Sequence, residues 1–67
     1  MGVVKVIELV GSSDKNWEDA TQEALREAEK TVRHIVGIDI LGFKVEVKDN
    51  RISKFKAHTK VAFLVER

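Results

Sequence analysis

The residue types that could do chemistry in this 67-residue sequence are few. It contains no cysteine, and its two histidines are His34 and His58. A catalytic triad would need a nucleophile and an acid converging on one of these histidines, and no nucleophile motif flanked by glycines is present. The sequence also lacks a histidine pair spaced for metal binding, an EF-hand loop and a phosphate-binding glycine loop. It therefore predicts a protein that is not an enzyme.

A row of lysines is the second feature that could bind a ligand. Its members are Lys44, Lys48, Lys54, Lys56 and Lys60. Such a row is usually a solvated face, and Glu46 lies among these lysines. The alternative is an anion site for a phosphate group or a nucleotide tail, because ammonium groups bind phosphate oxygens strongly. Both interpretations stay open from the residues alone.

The segment that must position these side chains is a helix predicted over residues 16–35. Apolar or small residues recur along it every three or four positions, and charged residues fill the opposite side. Asn16 predicts the N-cap, and Gly37 predicts a left-handed residue that ends the helix. Glu23 and Arg26 are spaced to form an ion pair on the charged side.

Three further segments alternate in the manner of strands, and they span residues 3–10, 38–48 and 51–66. Gly42 predicts either a bulge or a close backbone approach in the second strand, and Asp49 with Asn50 predicts a two-residue type I′ turn after it. The third strand is the longest, which suits the centre of a sheet. The elements therefore predict one α+β domain over residues 1–67. Its fold is β-α-β-β, a three-stranded antiparallel sheet of order 1-3-2 curled around one long helix.

The small size of the chain predicts self-association. At 7.6 kDa a chain buries a small share of its surface, and apolar burial nearly cancels against the cost of ordering. No disulfide can add stability, and both faces of the first strand are largely apolar. We expect one face to cover the helix and the other to meet a second copy. The predicted interface residues are Val4, Val6, Ile7 and Trp17.

Charge and hydropathy restrict the partners and the location. The net charge is +1, which gives no electrostatic footprint for nucleic acid. No apolar run approaches the length that spans a membrane. The first eleven residues include Lys5 and Glu8 and lack the architecture of a signal peptide. We therefore expect a cytoplasmic protein with neither nucleic acid nor membrane as a partner.

Three stretches of the sequence resemble the dodecin family. They are VKVIELVGSS at residues 4–13, the end of the alanine-rich helix at KTVR (30–33), and KVAFLVE at 60–66. The resemblance runs nearly from end to end. It implies the β-α-β-β fold and a hollow shell of twelve subunits built from trimers. It also implies that the protein stores or quenches flavins, riboflavin or FMN, rather than using them in catalysis.

The resemblance implies a ligand site that this chain has altered. The family-equivalent positions are Val36, Gly37, Lys44 and Lys56. Flavin-binding dodecins carry a tryptophan that stacks on the flavin ring where this chain has Gly37, and a pairing glutamine where it has Lys56. Losing both contacts removes roughly a few kcal/mol of specific recognition, so we expect weak flavin binding.

Other ligands stay open. The NWEDA stretch at residues 16–20 is similar to the branch called calcium dodecin, which also lacks the stacking tryptophan. That similarity implies Ca²⁺, with Asp39 as a candidate oxygen ligand. The alternatives are a shell whose lysines hold a phosphate-bearing cofactor such as coenzyme A, and a purely structural or adaptor assembly.

Overall fold

A computed structural model describes residues 2–65, and it confirms the predicted α+β fold. The elements are β1 (Val3–Ser13), α1 (Trp17–Glu29), β2 (Ile35–Lys48) and β3 (Arg51–Val65). Both β1 and β2 pair antiparallel with β3, so the sheet order is β1-β3-β2. α1 packs on β1 and β3. Glu66, the last residue of the predicted third strand, lies outside the described residues.

The start of α1 follows from Asn16, as the sequence predicted. Asn16 is extended, with φ of −169°, and its Oδ1 accepts a hydrogen bond from the backbone N–H of Asp19 at 2.7 Å. This bond satisfies one of the N–H groups that a helix start leaves without a partner. The predicted ion pair between Glu23 and Arg26 is also present, at 2.7 Å.

The end of α1 differs from the prediction. The helix stops at Glu29 rather than at Ile35, and β2 already begins at Ile35. The chain turns at His34, which has φ of +57°, whereas Gly37 lies within β2 and has no positive φ. The assignment of Gly37 as the helix stop was therefore wrong. The reason is tertiary, because Ile35 pairs with Phe63 of β3 and extends the sheet.

The core between α1 and the sheet is built from small side chains. The buried residues are Ala20, Ala24, Ala28, Ala57, Val61, Ser13 and Thr59. A Cβ placed on Gly11 of β1 would collide with the carbonyl oxygen of Ala20 and would lie 2.9 Å from the amide nitrogen of Ala24. The helix therefore lies directly on the backbone of β1. The strand runs to Ser13 rather than to residue 10 because its pairing with β3 continues as far as Phe55.

The hairpin of β2 and β3 has the predicted turn and bulge. Asp49 and Asn50 have φ values of +53° and +62°, the left-handed conformations that a type I′ turn requires. The register of β2 shifts between Ile40 and Gly42, which confirms the bulge predicted at Gly42. A second shift lies between Ile35 and Gly37, so β2 bends as it follows β3.

The subunit is long and thin. Its principal extents are 50 × 19 × 13 Å and its radius of gyration is 13.6 Å, against about 11 Å for a compact chain of this length. Its accessible surface is 5194 Å², whereas a compact protein of this mass exposes about 4,300 Å². The excess is about 900 Å². Surface that a compact protein would bury is therefore exposed in the single copy.

Candidate functional site

α1 covers only part of one face of the sheet. Directly paired residues of an antiparallel sheet point to the same face. Phe43 pairs with the buried Ala57, and Ile40 pairs with the buried Thr59, so this side of β2 belongs to the face that carries α1. We call it the helix-side face and the opposite one the outer face. Because α1 packs on β1 and β3, the helix-side surface of β2 is left open.

The open surface of β2 is apolar. We define the β2 aromatic patch by its exposed residues, which are Trp17, Ile40, Phe43, Val45 and Val47. The Trp17 ring lies 5.4 Å from that of Phe43 and 5.3 Å from that of Phe55, measured between centroids. Its indole Nε1–H donates a hydrogen bond to the carbonyl oxygen of Lys44 at 3.1 Å. The indole is thus fixed in place while 40% of Trp17 remains exposed.

A second apolar surface lies on the outer face at the other edge of the sheet. We define the β1 outer patch by its exposed residues, Val4, Val6, Val10 and Leu64, with Val4 paired to Leu64 across the strands. Ile7 points instead to the helix-side face and is half-buried. Of the predicted interface residues, Val4 and Val6 therefore belong to this patch and Trp17 to the β2 aromatic patch. Their role in an interface stays a prediction.

The ligand positions predicted from the resemblance are split along the sheet. Lys44 and Lys56 are direct partners on β2 and β3, whereas Gly37 pairs with Ala62. Ala62 and Lys56 are six residues apart on β3, roughly 20 Å along the strand. Val36 is exposed at the register shift beside Gly37. The subunit therefore brings Lys44 and Lys56 together and leaves Val36 and Gly37 at a distance from them.

Lys56 is already engaged within the subunit. Its Nζ lies 3.0 Å from Oε2 of Glu46. The hydrogen bond and the charge of Lys56 hold the pKa of Glu46 below its usual value, with smaller contributions from the charges of Lys54 and Lys48. One glutamate is thus surrounded by several ammonium groups on an exposed hairpin. The lysine row is solvated in the single copy, and an excess of positive charge remains around Lys44.

Asp39, the candidate calcium ligand, lies opposite Lys60 in the sheet. Within residues 2–65 there is no group of three histidine, aspartate or glutamate side chains arranged to hold a metal ion. A calcium site at Asp39 would therefore need oxygen ligands from a further source, such as other copies, and it stays a prediction. In the same part of the chain, no helix has the length and apolar character required to cross a membrane.

The structure adds two features that sequence reasoning missed. A groove of about 600 Å³ opens between the end of α1 and the start of β2, with Leu25, Val32 and Ile38 among its apolar walls and Gly37 at its side. No sequence pattern indicated this groove, because the helical period continues across residues 30–35. On the outer face, Nε2 of His58 lies 2.8 Å from Oε2 of Glu8, a contact between residues fifty positions apart.

Comparisons with known proteins agree on one family. The family model for dodecin matches residues 3–66. A dodecin from Thermus thermophilus is 31% identical over 64 residues, which cover 96% of this chain and 93% of that protein. The crystal structure of a single-residue variant of Thermus thermophilus dodecin matches with a TM-score of 0.94 at 30% identity and covers 100% of both chains.

A second solved structure bears on the ligand. It is the calcium dodecin of Mycobacterium tuberculosis, described as a calcium-chelating immunodominant antigen with a novel calcium-binding site. It matches with a TM-score of 0.84 at 26% identity, over 96% of this chain and 91% of that one. The expected similarity to calcium dodecin is therefore found at the level of structure, beside a match of higher TM-score to the Thermus thermophilus dodecin.

Proposed function

Since this chain belongs to the dodecin family, whose members bind small ligands, we propose that it is a non-catalytic storage protein. It would hold a small ligand inside a hollow homo-oligomer of twelve subunits in the cytoplasm. The observation that supports this assembly is that the single copy exposes about 900 Å² more surface than a compact protein of its mass. Each partner in an interface of standard size contributes about 800 Å², so contacts between copies account for the exposure.

Sedimentation tests the assembly. At micromolar concentration we expect a species of about 91 kDa, twelve times the 7.6 kDa subunit. Dissociation should accompany unfolding, because the single copy has a core of alanines and one valine beneath its helix. A stable, folded, solitary subunit at micromolar concentration would contradict the proposal.

Flavin is the family ligand, and we propose that this chain binds it weakly. The position that carries the stacking tryptophan in flavin-binding dodecins is Gly37, and the position of the pairing amide is Lys56, which bonds to Glu46. Neither contact to a flavin is therefore supplied by its usual side chain. Titration of riboflavin and FMN, followed by flavin fluorescence, should give dissociation constants above the micromolar range, and submicromolar quenching would contradict weak binding.

Restoring the aromatic side chain gives a sharper test. A Cβ on Gly37 meets nothing within 4 Å, and its φ is not positive, so the backbone accepts the start of a side chain in Gly37→Trp. We expect riboflavin to bind about fivefold more tightly to this variant, because stacking contributes about 1 kcal/mol beyond the area buried. Gly42→Trp is the matched control, since Gly42 is equally open but lies away from the family-equivalent position. Equal gains in both variants would contradict the assignment of Gly37.

Calcium is the second candidate ligand, supported by the structural likeness to calcium dodecin. Calorimetry of the assembled protein with Ca²⁺ should show binding that Asp39→Asn weakens. Asp49→Asn, at the hairpin turn, is the matched control because it removes the same charge elsewhere. Absence of heat, together with absence of a calcium adduct in native mass spectrometry, would remove this candidate.

A phosphate-bearing cofactor such as coenzyme A is supported by the arrangement of the lysines. Lys44 and Lys56 face each other directly, and like charges placed opposite each other destabilise a sheet; Glu46 offsets the charge of Lys56, and a bound phosphate would offset that of Lys44. Lys44→Ala should weaken coenzyme A binding, whereas Lys30→Ala, at the C-cap of α1, should not. If no small molecule binds, a purely structural or adaptor shell remains, and recovery of a specific protein partner would support the adaptor form.

A further inference from the structure

We propose that a groove beside the end of α1 binds an amphipathic carboxylate, a small molecule with one carboxylate group and a short apolar chain. We call it the connector groove, because residues 30–34 connect α1 to β2 and form one of its sides, with the last residues of β3 on the other. This site is additional to the ligand positions considered above, and it does not depend on the proposed oligomer.

The connector groove lies on the helix-side face of the sheet. Lys5 of β1 and Phe63 of β3 are direct partners, and both line the groove. Phe63 lies two residues after Val61, which is buried beneath the helix, so the two side chains share a face. The paired Lys44 and Lys56 point to the outer face by the same alternation. The connector groove is therefore a separate site from those lysines.

The connector is held in place at both of its ends. The backbone N–H groups of Thr31 and Val32 donate hydrogen bonds to the carbonyl oxygen of Ala28, at 3.1 and 3.0 Å. The backbone N–H of Leu64 on β3 donates to the carbonyl oxygen of His34 at 3.0 Å. His34 has φ of +57°, a conformation that residues other than glycine keep only where their surroundings fix it. The groove is therefore preformed, which lowers the entropic cost of binding a ligand.

The polar lining of the connector groove favours an anion. It consists of Lys5, Arg33, His34 and Thr31, and no aspartate or glutamate of the described chain lines the groove. Within residues 2–65, neither Lys5 nor Arg33 has an ion-pair partner. An anion would therefore gain charge-assisted hydrogen bonds without displacing an acidic side chain. The planar guanidinium of Arg33 matches a carboxylate in particular, because it can donate two parallel hydrogen bonds to the two oxygens.

The remaining lining of the connector groove is apolar. Val32, Phe63 and Val65 contribute half-buried side chains to it. Its volume is about 320 Å³, at the lower end of the range of roughly 300–1,000 Å³ found for ligand pockets. A short alkyl chain would leave water on entering it, which is favourable. A charged group alone or an apolar chain alone would use only part of this lining, so the groove favours a small molecule that has both.

Calorimetry of the full-length protein with octanoate tests the proposal. We expect octanoate to bind more tightly than acetate, which lacks the chain, and than octanol, which lacks the charge. Arg33→Gln should weaken octanoate binding about tenfold, because it removes hydrogen bonds from a charged donor to the carboxylate. Arg51→Gln is the matched control and should leave the dissociation constant unchanged, since Arg51 lies at the opposite end of β3 from Val65.

Lys5→Gln is the second variant, for the case in which Arg33→Gln fails to fold, and it should also weaken octanoate binding. Methyl NMR locates the ligand: octanoate should shift the signals of Val32 and Val65 and leave that of Val47 at the hairpin unchanged.

The proposal is overturned if octanoate fails to bind the folded wild-type protein, as it would if a second copy covered the groove. Binding that the folded Arg33→Gln or Lys5→Gln variant retains in full, or shifts confined to other methyl groups, would also overturn it. Sedimentation of the same samples tests the proposed function separately. A solitary subunit that binds octanoate overturns the shell and supports the groove, whereas a full shell that does not bind octanoate overturns the groove alone.

Discussion

Gly37 and Lys56, the two positions proposed to have lost flavin contacts, differ in their surroundings. Gly37 simply lacks a side chain, and nothing within 4 Å of a Cβ there prevents one. Lys56 is instead part of a local ion pair with Glu46. Lys56→Gln would therefore also release the Glu46 carboxylate, whereas Gly37→Trp breaks no side-chain contact, because Gly37 has no side chain. For this reason Gly37 is the better single site for recovering flavin binding.

The ion pair makes a prediction about pH. Lys56 lowers the pKa of Glu46, whose usual value is 4.5. The pair therefore stabilises the fold above about pH 4.5, and this contribution is lost as pH falls through the lowered pKa of the folded protein. In Lys56→Gln we expect the Glu46 pKa, measured by carboxyl NMR, to rise towards 4.5. Lys60→Gln is the matched control, and an equal rise there would refute a specific pair.

At the scale of elements, the contact between α1 and β1 leaves no space for a side chain at Gly11. Gly11→Ala should destabilise the fold by about 3 kcal/mol or more, because its Cβ would meet helix backbone rather than a flexible side chain. Urea unfolding measures the loss. Gly42→Ala, where a Cβ meets open space, should change the free energy of unfolding by less than about 1 kcal/mol. Comparable effects at the two glycines would contradict the close approach of helix and strand.

The elements also show which parts of the fold could be predicted. The cap at Asn16 and the turn at Asp49–Asn50 depend on local chemistry, and both were predicted correctly. The end of α1 depends on pairing with a distant strand. Residues 30–35 fit a helical stripe equally well, but Ile35 reaches Phe63 only by leaving the helix. Periodicity alone could not distinguish the two outcomes, and the groove beside Gly37 was missed for the same reason.

The candidate site could be predicted only in part, because its predicted residues do not come together within the described chain. The sequence located Lys44 and Lys56 on facing strands, and the structure pairs them. It could not show that Gly37 lies roughly 20 Å along the sheet from them. The sequence also grouped Val6 and Ile7 as interface residues, yet alternation along β1 sends them to opposite faces. If copies of the chain share a pocket, only a structure of the oligomer would show which residues each copy contributes.

At the scale of the whole molecule, exposure predicts how assembly fails. Val6→Asp places a charge in the β1 outer patch, where burial of an unpaired carboxylate costs several kcal/mol. We expect sedimentation to show loss of the oligomer and the melting temperature to fall with it. Val6→Thr keeps the shape and the strand preference of valine, and it should remain assembled. A full-sized shell formed by Val6→Asp would contradict a role for this patch.

Trp17 has a practical consequence for all of these experiments. It is the only tryptophan, and the chain has no tyrosine, so excitation at the red edge of protein absorbance reports one indole and nothing else. That indole is rigidly held yet 40% in contact with water, and it belongs to a surface that a neighbouring copy is proposed to cover. Its emission should shift to shorter wavelength when subunits join and return when they separate. The intrinsic fluorescence of Trp17 should therefore report self-assembly without any added label.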